Sequence, residues 1–78
     1  DIVKFSGKLI KNLEKVPIVG MMIEKIVEVC QVAGISNVAE SIESESQARI
    51  LRDLGVNYGQ GWHFSRPLPI ADIDSNNQ

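Results

Sequence analysis

The stretch "VAESIESESQARILRDLGVNYGQGWHFSRPLP", residues 38–69, decides the fold. It opens on the end of an apolar run that carries Glu40 and Glu43 at its tip. Ser44, followed three residues later by Gln47, is a capping-box signature. The helix it opens is expected over Glu45 to Leu54, with Ala48, Leu51 and Leu54 turned inward and Gly55 ending it. "NYGQGWHF" then reads as a strand with Gln60 near its end, and "RPLP" as its stop. Strand, helix, strand in this order argues parallel pairing through a right-handed crossover.

Upstream, the same alternation continues. "IVKF", residues 2–5, is β-branched and aromatic and reads as a strand. "GKLIKNLEK", residues 7–15, places Leu9, Ile10 and Leu13 on one helical stripe. Pro17 suits the first turn of a second helix, where its missing N–H costs nothing. That helix is expected to reach Ala33, with Ile18, Met22, Ile26, Val29 and Ala33 on one face and the Met21–Met22 pair as core filling. Gly34 stands where a left-handed C-cap is wanted. "ISNVAE", residues 35–40, is the middle strand.

The pattern is therefore β-α-β-α-β, an α/β arrangement with parallel strands. Parallel strands need both faces covered, or closure into a barrel. Two helical layers from this chain do not cover both faces well, so the expected architecture is a segment of a larger α/β sheet or of a TIM-like (β/α)8 barrel. The last residues, "DIDSNNQ", form a polar tail expected to fray.

Composition narrows the function classes. At 78 residues the chain is one domain or a piece of one, and 44% hydrophobic residues make it globular. The net charge of -2 gives no electrostatic case for DNA, RNA or an anionic membrane. Cys30 is the one cysteine, so no intrachain disulfide forms, which fits a reducing compartment. No apolar run reaches the ~20 residues of a membrane span, and no signal-peptide pattern opens the chain. The start on "DIVKF", without methionine, reads as a fragment or a processed product.

In a parallel barrel, chemistry gathers at the C-terminal strand ends. Those ends carry Lys4 and Ser6, then Glu40 and Glu43, then Gln60. Carboxylates bind hard cations such as Mg²⁺, and a lysine beside a metal-bound water suits a phosphodiester. A plainer reading stands beside this one: Glu40 and Glu43 complement the positive N-terminus of the next helix. His63 lacks companion ligands and reads as structural, since metal sites cluster their ligands. Cys30 reads as a small buried hydrophobe, Trp62 as packing against a helix, and Arg66 as a solvated surface residue.

Three motifs, in order, carry a family resemblance. "DIVKFSGKLI" resembles D-x-x-K-[IV]-D-x-x-[FL]-[IV], "VAESIES" resembles A-E-G-V-E-[TS], and "LRDLGVNYGQGWHFSRPLP" resembles L-x-x-L-G-x-x-x-x-Q-G-[YF]-x-[FY]-[SA]-x-P-L. Together they resemble the C-terminal third of the EAL domain, the bacterial cyclic di-GMP phosphodiesterase family. On that resemblance, residues 1–71 correspond to strands six to eight of its barrel, with 72–78 as the tail. The resemblance implies that Lys4 lies near the attacking water and scissile phosphate. It implies that Glu40 is a general base or a metal-site carboxylate, that Glu43 braces a catalytic, dimer-linked loop, and that Gln60 lies near the ligand. Ser6 stands where the family has a metal-site aspartate, and Ser41 where it has glycine.

The function expected from the resemblance is a degenerate EAL domain acting as a cyclic di-GMP receptor or regulatory module. The alternatives are part of an active phosphodiesterase using Mg²⁺ or Mn²⁺, and a protein-interaction module without nucleotide binding. No metal is expected for the chain by itself. Expected partners are cyclic di-GMP, the rest of the barrel and a second copy in a homodimer, with no direct membrane insertion. The expected location is the cytoplasm, including the cytoplasmic part of a membrane-bound sensor.

Overall fold

A computed structural model describes residues 1–61 and 64–73. The element order is β1 (Ile2–Phe5), α1 (Gly7–Lys11), α2 (Pro17–Ala33), β2 (Ser36–Ile42), α3 (Glu45–Asp53), β3 (Tyr58–Gly61), β4 (Phe64–Pro69) and a 3₁₀ turn at Ile70–Asp72. The sheet runs β1-β2-β3-β4. β1–β2 and β2–β3 are parallel, and β4 returns antiparallel to β3.

Both crossovers step the same way across the sheet, so their helices lie on one face of it. That single winding is the geometry of a barrel wall, and the architecture is that of a (β/α)8 barrel segment. The core lies between the sheet and this one helical layer. Phe5, Ala39 and Ile42 from the strands meet Ile10, Ile23, Val27, Ala48 and Leu51 from the helices. The other face of the sheet stays open, with Ile2 62% exposed and Tyr58 39% exposed.

The local signals have physical counterparts. Ser6 caps α1, its Oγ accepting from the Leu9 N–H at 3.2 Å. Pro17 starts α2 and Gly34 ends it at φ 70°. Ser44 Oγ accepts from the Gln47 N–H at 3.1 Å. The return bond of this box lands one residue early, with Gln47 Oε1 accepting from the Glu43 N–H at 2.7 Å. α1 is shorter than the expected 7–15, because Asn12 already caps it. Leu54 is the C-cap of α3 and only half-buried.

Three expectations are corrected. The buried stripe of α2 is Val19, Ile23, Val27 and Cys30, whereas Ile18, Met22, Ile26, Val29 and Ala33 are exposed. The Met21–Met22 pair is not core filling, with exposures of 60% and 46%. The helix is apolar almost all round, interrupted only by Glu24, Lys25, Glu28 and Gln31, so its period alone cannot choose which stripe meets the sheet. The third correction is the fourth strand. Pro67 and Pro69 lack an N–H and signal a stop in the sequence, yet β4 is an edge strand, where proline is tolerated. Beyond it, Ile73 is buried at 2% and its carbonyl accepts from the Arg52 guanidinium at 3.0 Å, so the tail is docked at least that far.

Candidate functional site at the strand ends

Side chains alternate across a strand, so β1 divides cleanly. Val3 and Phe5 pack toward the helices, which leaves Ile2 and Lys4 on the open face. Lys4 is in register with Val38, and Val38 with Tyr58. Ile2, Lys4, Ser36, Val38, Tyr58 and Pro67 line one open recess of about 430 Å³ on this face. Two residues further along β2 and β3 come Glu40 and Gln60, which line a recess of about 240 Å³ with Ser41 and Gly61. Lys4, Glu40 and Gln60 thus share the open face, with Glu40 and Gln60 together at its C-terminal rim.

Glu43 lies elsewhere. It lines a recess of about 360 Å³ with Gly7, Lys8, Lys11 and Ser41, beside α1. Ser6 is exposed, and its hydroxyl is engaged in capping α1. The structure therefore brings Glu40 and Gln60 into one recess, sets Lys4 behind them on the same face, and separates Glu43 from both. His63 and Trp62 lie outside the described residues. Cys30 is buried, as expected, and Arg66 is exposed on β4.

A β-bulge follows Glu40. Between Ala39↔Gly59 and Ile42↔Gly61, β2 spends one residue more than β3. Ser41 takes up the extra residue at φ 59°, the left-handed region. Without it, Ile42 would alternate onto the open face. With it, Ile42 returns to the core and is fully buried. Gly61 makes room for the bulge: a Cβ there would lie 2.5 Å from the Ile42 nitrogen and 2.7 Å from its oxygen. The sequence carries a signal for this bulge, because a glycine in the family pattern at position 41 marks backbone that prefers φ > 0.

The family resemblance implies a divalent cation at the strand ends. Among the described residues, no three His, Cys, Asp or Glu side chains come together to hold a metal ion. Mg²⁺ takes near-octahedral oxygen ligands. Glu40 is the single carboxylate in its recess, so these residues do not complete such a site. Among the described residues, no helix is long and apolar enough to cross a membrane.

Comparison with known proteins agrees with this fold. The EAL domain profile matches residues 1–67. The chain is 35% identical over 72 residues to the probable cyclic di-GMP phosphodiesterase PdeA of Escherichia coli, covering 92% of this chain and 10% of that protein. It is 38% identical over 71 residues to the cyclic di-GMP phosphodiesterase PdeB of Shewanella oneidensis, covering 91% of this chain and 8% of that protein. Among solved structures, an EAL domain protein of Listeria monocytogenes superposes with a TM-score of 0.77 at 38% identity, over 94% of this chain and 30% of that one. BlrP1 of Klebsiella pneumoniae, in its manganese and cyclic di-GMP complex, gives a TM-score of 0.77 at 27% identity, over 90% of this chain and 18% of that one. The chain thus spans about a tenth or less of the length of these two curated relatives. The ordered motifs, the single-wound sheet and these matches have one common reading: the chain belongs to the EAL domain family.

Proposed function

We propose that this chain supplies the Lys4, Glu40 and Gln60 side of a cyclic di-GMP site in an EAL-domain protein, and that this protein acts as a receptor or regulatory module. The observation that carries the proposal is the shared open face. Lys4, Glu40 and Gln60 fall on the sheet surface that no helix covers, with Glu40 and Gln60 in one recess at the strand ends. The Lys4 ammonium pairs with a phosphodiester oxygen, and Gln60 places a polar amide group beside Glu40 at the strand ends.

Ser6 favours a receptor over an enzyme. Its hydroxyl starts α1 as well as an aspartate would, so the helix cap survives the loss of the carboxylate. What disappears is a negative charge and a hard oxygen ligand at the strand ends. A second reading, part of an active metal-dependent phosphodiesterase, draws on Lys4, Glu40, Glu43 and Gln60 being present and on the names of the relatives.

Equilibrium binding of cyclic di-GMP to the EAL-domain protein carrying these residues tests the proposal. Lys4→Ala weakens binding about tenfold or more if its ammonium meets the phosphate. Unchanged affinity in Lys4→Ala and Gln60→Ala would remove this face from the site.

A further inference from the structure

Ser41 borders both recesses, the one that holds Glu40 and Gln60 and the one that holds Glu43, Lys8 and Lys11. Its side chain lies against Gly7, the first residue of α1. A Cβ on Gly7 would lie 2.4 Å from Ser41 Oγ and 2.8 Å from Ser41 Cβ. The second distance is decisive, because Cβ is fixed to the backbone and cannot rotate away. On its other side, the bulge backbone is pressed by Gly61, where a Cβ would come within 3.0 Å of the Ser41 carbonyl carbon. The residue next to Glu40 is thus held between two glycines in a left-handed conformation.

We infer that Gly7 and Ser41 form a positioning contact that ties the loop after β1 to the bulge and sets Glu40 against Gln60. This inference rests on the nucleotide-binding reading above. Gly7 follows Lys4 by three residues and Ser41 follows Glu40 by one, so the contact couples the lysine side of the face to the glutamate side. It fixes where Glu40 stands by packing, without touching the ligand. A bulky residue at position 7 displaces the bulge and carries Glu40 with it. Removing the Ser41 side chain clears that space again and leaves the left-handed backbone at no steric cost.

The test is a mutual-suppression cycle in the EAL-domain protein that carries this chain, using Gly7→Ala, Ser41→Gly and the double variant. Two readouts are taken: cyclic di-GMP affinity at a temperature where every variant is folded, and the Gln60 side-chain amide resonance without nucleotide. Gly7→Ala is expected to weaken binding about tenfold and to shift the Gln60 resonance, since small misplacements at a site are costly. The double variant is expected to return both toward the unmodified protein. A Gly7→Ala protein with lowered thermal stability but unchanged affinity and unchanged Gln60 resonance overturns the inference. So does a double variant that rescues neither. If the unmodified protein binds no cyclic di-GMP, the reading beneath fails, and the Gln60 resonance alone then decides whether the contact positions the rim.

Discussion

Asn37 and Asn57 bind each other three times across the sheet. The Asn37 N–H and its side-chain amide both donate to Asn57 Oδ1 at 3.1 Å, and the Asn57 N–H donates to Asn37 Oδ1 at 3.0 Å. Asn37 is fully buried in β2, and Asn57 is exposed just before β3. The pair fixes the entry of β3 beside β2, at the end of the sheet opposite Glu40 and Gln60.

Asn57→Ala removes the partner of the fully buried Asn37 amide. The expected loss is about 1–3 kcal/mol, the cost of an unsatisfied buried polar group. Urea denaturation of Asn57→Ala beside the unmodified protein measures it. A midpoint that does not move would mean that Asn37 finds another partner.

The two stripes of α2 make a second comparison. Ile23→Ala removes a fully buried side chain and is expected to cost about 2–5 kcal/mol. Met22→Ala, on the exposed stripe, is expected to stay within about 0.5 kcal/mol. Thermal unfolding of both variants distinguishes the stripes. A larger loss from Met22→Ala would mean that the exposed stripe is the packed one.

Ser41 gives a backbone test. A serine tolerates φ 59°, but a β-branched side chain there is a steric outlier. Ser41→Val is expected to lose about 1–3 kcal/mol, while Ser41→Gly holds or gains stability. Denaturation midpoints in the order Gly, Ser, Val check this. Equal stability of the Val variant would mean that the bulge is absent.

Much of this was legible in the residues, and the misses have causes. The α2 limits could be read because Pro17 and Gly34 act through local backbone chemistry. The cap at Ser44 was legible for the same reason. The buried stripe of α2 was not, since a helix apolar on most sides offers its period no contrast. β4 was hidden by prolines whose meaning depends on lying at a sheet edge, which is a tertiary fact. Glu40 and Gln60 lie toward the C-terminal ends of β2 and β3, where the strand pattern of the sequence places them. That Glu43 sits beside α1 is a tertiary placement, and the extra residue in β2 left one trace in the sequence, the serine at a position where the family pattern has glycine.

The most direct test of the account is turnover of cyclic di-GMP by the EAL-domain protein carrying this chain, with Mg²⁺ or Mn²⁺, beside its Ser6→Asp variant. Nucleotide binding and metal titration are read on the same samples. The unmodified protein is expected to bind the dinucleotide with little hydrolysis, and Ser6→Asp to raise metal affinity by adding a carboxylate oxygen at the strand ends. Steady conversion to the linear dinucleotide by the unmodified protein, at a rate that Ser6→Asp does not improve, would contradict it and establish the phosphodiesterase reading.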